Sequence, residues 1–155
     1  MTEDKIDFNE LDPKVIADVS QHNKALVLDF YSDLSAGNHQ GAMDRLDEDL
    51  EYRVGGHPAE FPLAGVHSKA ELIEVLSKID AAVPGGVQVE IFSAIAEGDQ
   101  VVVEFIARGV SGSGKTYENR VAFSCEVIDG KIRRVREYLD TLHANADAPR
   151  VRCRL

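Results

Sequence analysis

Basic side chains are in short supply in this chain of 155 residues: 17 Lys and Arg stand against 27 Asp and Glu, a formal net charge of −10. Without a basic stripe to displace counterions from phosphates, the composition argues against a nucleic-acid partner. Cysteine is scarce as well. Cys125 and Cys153 are too few for a disulfide scaffold or a cysteine-built zinc site; two reduced thiols are the simpler reading, with one bridge between them the alternative. No apolar run approaches the ~20 residues needed to cross a bilayer, and residues 1–9 are acidic, unlike a signal peptide. A cytoplasmic protein with no membrane partner is therefore expected. Internal repeats and low-complexity tracts are missing too. What remains is 44% hydrophobic and 28% charged, an ordinary mixture for one folded domain. A flexible leader over 1–11, a single domain over 12–143 and a loose tail over 144–155, carrying Arg150, Arg152 and Arg154, describe its organisation.

Asp12-Pro13 opens a helix, an N-cap acceptor followed by a residue with no N–H to satisfy. Ile16, Val19, Leu26, Phe30 and Leu34 recur at helical spacing as its buried stripe, and Gly37 stops it. Asn38 caps a short second helix with Ala42, Met43 and Leu46 inward. A strand follows over 50–54, then an irregular connection over 57–65. Ser68 and Glu71 form a capping box for a third helix. From Val87 the period becomes two, and residues 87–95, 100–110, 116–128 and 131–140 read as four meandering strands. Helices first and a long antiparallel sheet afterwards make an α+β plan, with the helices on one face of a curved sheet.

Residues 109–116, Gly-Val-Ser-Gly-Ser-Gly-Lys-Thr, match the phosphate-loop pattern G-x-x-x-x-G-K-[ST] at every fixed position. That loop works only when a helix follows the lysine and points its N–H groups at the phosphates. Here Tyr117, Val121, Phe123 and Val127 follow, which is a strand. The segment reads as a glycine-rich hairpin loop.

Over residues 116–128 the odd positions Tyr117, Asn119, Val121, Phe123, Cys125 and Val127 form the inward face. Val135, Glu137 and Leu139 share a face of the last strand. A plain two-residue turn at Asp129-Gly130 would pair odd residues with even ones, so one extra residue is required, and a bulge with Gly130 at positive φ is the expected source. Glu137 then lies on the concave face near Asn119 and Val121. An ionised carboxylate there costs several kcal/mol unless paired, which makes Glu137 a candidate general acid or base. The alternative is an ion pair with Arg120 or Arg108 that only organises the sheet. Glu104, inside a strand apolar on both faces, is a second candidate if it opens into the same cavity; it equally suits a cation outside any pocket. Tyr52 and Tyr117 suit either hydrogen bonding into a cavity or the core. His57 and His67 flank the connection that would rim a pocket. No spacing supports a metal site.

Three stretches carry a family resemblance: residues 30–37, Phe-Tyr-Ser-Asp-Leu-Ser-Ala-Gly; Leu63-Ala64-Gly65; and residues 114–140, with Tyr117, Asn119, Asp129-Gly130-Lys131-Ile132 and Arg136-Glu137-Tyr138-Leu139-Asp140. Together they resemble the nuclear transport factor 2-like superfamily, in its SnoaL-like, ketosteroid isomerase-related branch. The resemblance implies a cystatin-like α+β roll: a cone-shaped, curved mixed or antiparallel sheet whose three N-terminal-half helices enclose an apolar pocket, usually in a homodimer packed sheet to sheet. Members include isomerases, cyclases, dehydratases, epoxide hydrolases and proteins without chemistry, so the fold alone does not decide function. The ketosteroid isomerase positions fall on Phe30, Val54 and Phe123, all apolar, which argues against that apparatus. Of the Asp–Arg–Asp set of limonene epoxide hydrolases, Glu137 matches the last-strand acid and Glu104 the other, while the arginine position falls on Val102. Phenazine-pathway members keep a glutamate at the Glu137 position. The expectation is cofactor-free acid/base chemistry on a small apolar carbonyl or epoxide, by Glu137 with Asn119 and Glu104. Phe30, Tyr52, His67, Tyr117, Val121, Phe123 and Leu139 would line the substrate site. A non-catalytic ligand-binding or dimeric module is the alternative.

Overall fold

A computed structural model describes residues 10–147. The first helix, α1 (Pro13–Ser35), starts where Asp12 accepts a hydrogen bond from the Lys14 N–H at 2.7 Å, with proline at the first helical position. Its deepest face is Ser20, Asn23, Val27, Phe30 and Tyr31. Ile16, Val19, Leu26 and Leu34 of the expected stripe are only half-buried. Two polar residues enter the buried face because they hold the turn at Gly98: its N–H donates to Ser20 Oγ at 2.8 Å, and Asn23 Nδ2 donates to its carbonyl at 2.9 Å. Gly37, at φ 74, ends the turn after α1, and Asn38 caps α2 (His39–Asp44). The capping box of α3 (Lys69–Ala82) is formed as expected from Ser68 and Glu71.

Six strands make one sheet: β1 (Leu46–Val54), β2 (Gly65–His67), β3 (Gln88–Glu97), β4 (Gln100–Val110), β5 (Thr116–Ile128) and β6 (Lys131–Leu139), in the order β2-β1-β6-β5-β4-β3. The β1–β6 pair is parallel and every other pair antiparallel, so the curved sheet is mixed and remains unclosed. Helix α1 covers β3 and β4, and α3 covers β1 and β2. The core lies beneath them: Val27, Leu46, Val101, Val103, Phe123, Cys125, Ile132 and Val135 are almost wholly removed from water. Burial pushes the Cys125 thiol up to about 12, so this cysteine behaves as a small apolar side chain. Cys153, and with it any pairing to Cys125, lies outside the described residues. Among the described residues no helix is long and apolar enough to cross a membrane.

Two details differ from expectation, and a third agrees with it. The hairpin joining β5 and β6 is a plain two-residue turn, with Ile128 opposite Lys131 and both Asp129 (φ 50) and Gly130 (φ 73) left-handed. The extra residue sits deeper in the strand: Glu126 pairs with Arg134 and Val127 with Ile132, leaving Arg133 as the bulge. Parity is restored just the same. The phosphate-loop pattern is a hairpin: Val110 pairs with Thr116, the Ser111 N–H donates to the Lys115 carbonyl at 2.8 Å, and a strand follows. Finally, a short helix α4 (Thr141–Asp147) continues where the loose tail was expected to begin. The leader up to residue 9 and the tail from residue 148 lie outside the described residues.

Candidate active site

Three neighbouring strands, β2, β1 and β6, each contribute one polar side chain to the inner face of the sheet. Glu137 on β6 stands opposite Phe123 of β5 and beside Val54 of β1. Two residues before Val54, Tyr52 points the same way, and its hydroxyl donates a hydrogen bond to Glu137 Oε2. His67 of β2 is directly opposite Tyr52. Its Nε2 lies 2.8 Å from the Leu63 carbonyl, an acceptor only, so Nε2 carries the proton.

Glu137 as a residue keeps some exposure, but its carboxyl group is buried, and burial raises its pKa above the ordinary carboxylate range. The Tyr52 hydrogen bond and the nearby His67 pull it part of the way back. Tyr52 is pushed well up, first by burial and then by the charge and hydrogen bond of Glu137. The phenol therefore keeps its proton and shares it with the acid. The alternative ion pairs for Glu137 are not formed. Arg108 binds Glu118 and Glu90, and the Arg120 guanidinium lies 5.8 Å from the Phe92 ring centroid.

The structure brings Phe30, Val121 and Phe123 to this inner face as buried apolar groups, with Leu139 half-buried. Phe123 stacks on Phe30 at 6.2 Å between centroids and tilts against Tyr52 at 6.1 Å. Tyr117 faces inward too, but its ring stacks on His143 at 5.4 Å, docking α4. His57 is exposed, and its Nδ1 accepts from the Ala59 N–H at 3.4 Å.

Two expected members of the site act elsewhere. Asn119 is buried, yet both ends of its amide are committed: Nδ2 donates to the Asp140 carbonyl at 2.9 Å and Oδ1 accepts from the Asp140 N–H at 3.0 Å. It ties β5 to the end of β6, while the cross-strand partner of Glu137 is Phe123. Glu104 is exposed on the opposite face, opposite Ala122 and in a shallow groove with Phe92, Arg120 and Tyr138. The two glutamates do not share a cavity.

One residue of the site is not signalled by the sequence pattern. Tyr31, next to Phe30 on α1, is 5% exposed, and its hydroxyl is buried without a hydrogen-bond partner. Its ring packs on Phe105 at 4.7 Å, Phe30 at 5.2 Å and Phe123 at 5.2 Å. Burial, then the charges of Tyr52 and Glu137, raise its pKa well above that of a free phenol. Helical spacing assigns Phe30 inward and says nothing of its neighbour; only a buried tyrosine seeking a partner would have signalled it. Among the described residues, no three His, Cys, Asp or Glu side chains are grouped as a metal ion requires.

Residues 27–135 match the family model of the SnoaL-like domain. Among curated proteins no match was found. Solved structures share the architecture. An NTF2-like protein from Burkholderia xenovorans LB400 is 29% identical with a TM-score of 0.66, covering 84% of this chain and 98% of that one. An LEH-like epoxide hydrolase of M. tuberculosis is 21% identical at TM-score 0.67, over 83% and 90% of the two chains. TerC, co-crystallised with polyporic acid, is 23% identical at TM-score 0.70, over 81% and 96%. A mixed open sheet with helices on one face, a family model spanning most of the chain, and these neighbours lead to one assignment: the chain belongs to the SnoaL-like domain family of the NTF2-like superfamily.

Proposed function

We propose that this SnoaL-like domain binds a small apolar carbonyl or epoxide compound and moves a proton on it without a cofactor, with Glu137 as the general acid or base. The observation that carries this reading is the buried Tyr52–Glu137 hydrogen bond on the inner face of the sheet. A carboxyl group raised by burial approaches the pH at which both protonation states are accessible, the condition for efficient proton transfer. Tyr52 occupies Oε2, which leaves Oε1 to accept or deliver the proton. Phe30, Phe123, Val121 and Leu139 supply apolar contact, and His67 stands at the sheet edge beside Tyr52. That two structural neighbours are an LEH-like epoxide hydrolase and TerC bound to polyporic acid agrees with an oxygen-bearing organic ligand.

A homodimer packed through the outer face belongs to the same proposal. Phe92, Ile95 and Tyr138 are each more than half exposed there, with Val102 beside them and Glu104 and Arg120 among them.

The test is Glu137→Gln assayed on epoxides, enones and polyketide-like ketones. The substitution removes the titrating group and keeps its shape, so turnover falls by roughly 100-fold or more, in the range general acid–base groups contribute, while ligand binding persists. Unchanged turnover contradicts the role of Glu137. Retention of ligand by the wild-type protein with no product from any of these compounds favours a binding module.

A further inference from the structure

On the outer face of the sheet one row of residues crosses all six strands: Val66, Arg53, Arg136, Ser124, Val102 and Ile95, each in register with the next. Arg53 and Arg136 stand side by side in that row, on parallel strands about 4.8 Å apart, and both are exposed. Among the described residues neither forms a hydrogen bond or an ion pair. The adjoining row is built the other way: Arg134 lies between Glu51 and Glu126 and is paired with both. Arg108 holds Glu90 and Glu118 in the same manner. Acids are plentiful in a chain of net charge −10, yet these two cations face only each other. Like charges directly opposite on neighbouring strands weaken a sheet. An anion that the described residues do not supply would remove that cost.

The surroundings of the pair give the class of that anion. Ser124 follows Arg136 in the row and carries a hydroxyl. Tyr138, two residues beyond Arg136 on the same face, rests its ring against Gly55, where an added Cβ would come within 3.1 Å of it. Tyr138 and Val66 leave apolar surface exposed on two sides of the arginines. Two guanidinium forks side by side present two positive charges and many N–H donors to one point. A single carboxylate fills one fork and leaves the other uncompensated, and two carboxylates bring their own repulsion into the same space. A phosphate group, with close to two negative charges and three acceptor oxygens at neutral pH, matches both forks at once. The apolar side chains suited to a second copy, Phe92, Ile95 and Val102, belong to β3 and β4, two or three strands from Arg136.

We propose that Arg53 and Arg136, with the Ser124 hydroxyl, bind a phosphate group, free or as a monoester, on the face of the sheet opposite Glu137. This site is separate from the proton-transfer site and does not depend on it. The two arginines hold the phosphate oxygens, and Val66 and Tyr138 give the organic part of an ester an apolar surface to rest on.

Three probes test it at pH 8 and low ionic strength on the whole chain: inorganic phosphate, phenyl phosphate and succinate, titrated by calorimetry and, for the first two, phosphorus-31 NMR. The proteins are wild type, Arg53→Gln, Arg136→Gln, Arg136→Lys and Glu137→Gln. Wild type and Glu137→Gln bind phosphate saturably and alike, and more tightly than succinate. Arg53→Gln and Arg136→Gln each weaken phosphate binding by roughly 10-fold or more, the loss of one charge-assisted contact, and Arg136→Lys, which keeps the charge without the fork, falls between. The melting temperature of the ligand-free protein does not fall in these variants, because the side chains are exposed and unpaired. Phenyl phosphate tighter than inorganic phosphate upholds the site with an ester as its source; equal affinity upholds it with free phosphate. Absence of saturable phosphate binding in wild type, succinate bound as tightly as phosphate, or a Gln variant within twofold of wild type overturns the proposal. So does a wild-type dimer in sedimentation that phosphate leaves intact and Arg136→Gln takes apart, since the pair would then belong to an acid of a second copy such as Glu104.

Discussion

Glu104 and Glu137 lie two strands apart in one sheet and have opposite surroundings. On the outer face, Glu104 is exposed beside Arg120, Phe92 and Tyr138, in contact with water. On the inner face, the Glu137 carboxyl is buried and bonded to a buried phenol, with Phe123 across the strand. Residue type is the same; strand parity makes the difference. A carboxylate in water is a solubilising charge, whereas one buried beside a tyrosine is poised to exchange its proton. The single bulged residue Arg133 decides which kind Glu137 becomes, because a one-residue slip exchanges the two faces.

Inserting one residue between Arg134 and Val135, beyond the bulge, is the most drastic way to break this contrast. Val135 and Glu137 would turn outward, and Arg136 and Tyr138 would turn in. Burying Arg136 unpaired costs several kcal/mol, so the insertion variant is expected to lose its cooperative thermal transition by circular dichroism. Asn119→Ala comes next. It strands the Asp140 backbone N–H and carbonyl that the amide now satisfies at a part-buried site, and a loss of about 1 kcal/mol is expected in urea denaturation, without a change in the pH dependence of activity.

The two glutamates then separate in a pH series. The folded protein holds the Glu137 proton more tightly than the unfolded chain does. The stability this contributes is complete below the unfolded value near 4.5 and is lost as pH rises through the raised folded value. Glu137→Gln does not titrate, so its stability relative to wild type increases across that window, read as the difference in denaturation midpoint between pH 4 and pH 7. Glu104→Gln, at an exposed position, changes stability by less than about 0.5 kcal/mol at either pH.

Much of this contrast is legible in the amino acids, and the gaps have physical causes. The α3 capping box, the spans of β4 and β5, and the inward row from Tyr117 to Val127 follow from local rules: a side-chain cap, a two-residue period, glycine turns. The inward face of Glu137 follows from the need to match apolar rows, although the matching residue is Arg133 and not one at the turn. Glu104 is ambiguous by pattern because Val101, Val102, Val103, Phe105 and Ile106 surround it with apolar positions on both faces, and alternation there does not say which side it takes. The three residues of β2 are too few to show a period. The commitment of Asn119 to Asp140 spans 21 residues and depends on how β6 ends, which no local pattern encodes. The orphan hydroxyl of Tyr31 exists only once helix and sheet are packed together.

The central claim, a buried acid held in check by a tyrosine, is tested most directly by following the side-chain carboxyl carbon of Glu137 through a pH titration by carbon-13 NMR, with Glu137→Gln supplying the assignment. The expected midpoint lies above 4.5 and moves higher in Tyr52→Phe, because burial raises this acid and the tyrosine hydrogen bond holds it down. A midpoint at or below 4.5, unaffected by loss of the Tyr52 hydroxyl, would contradict it.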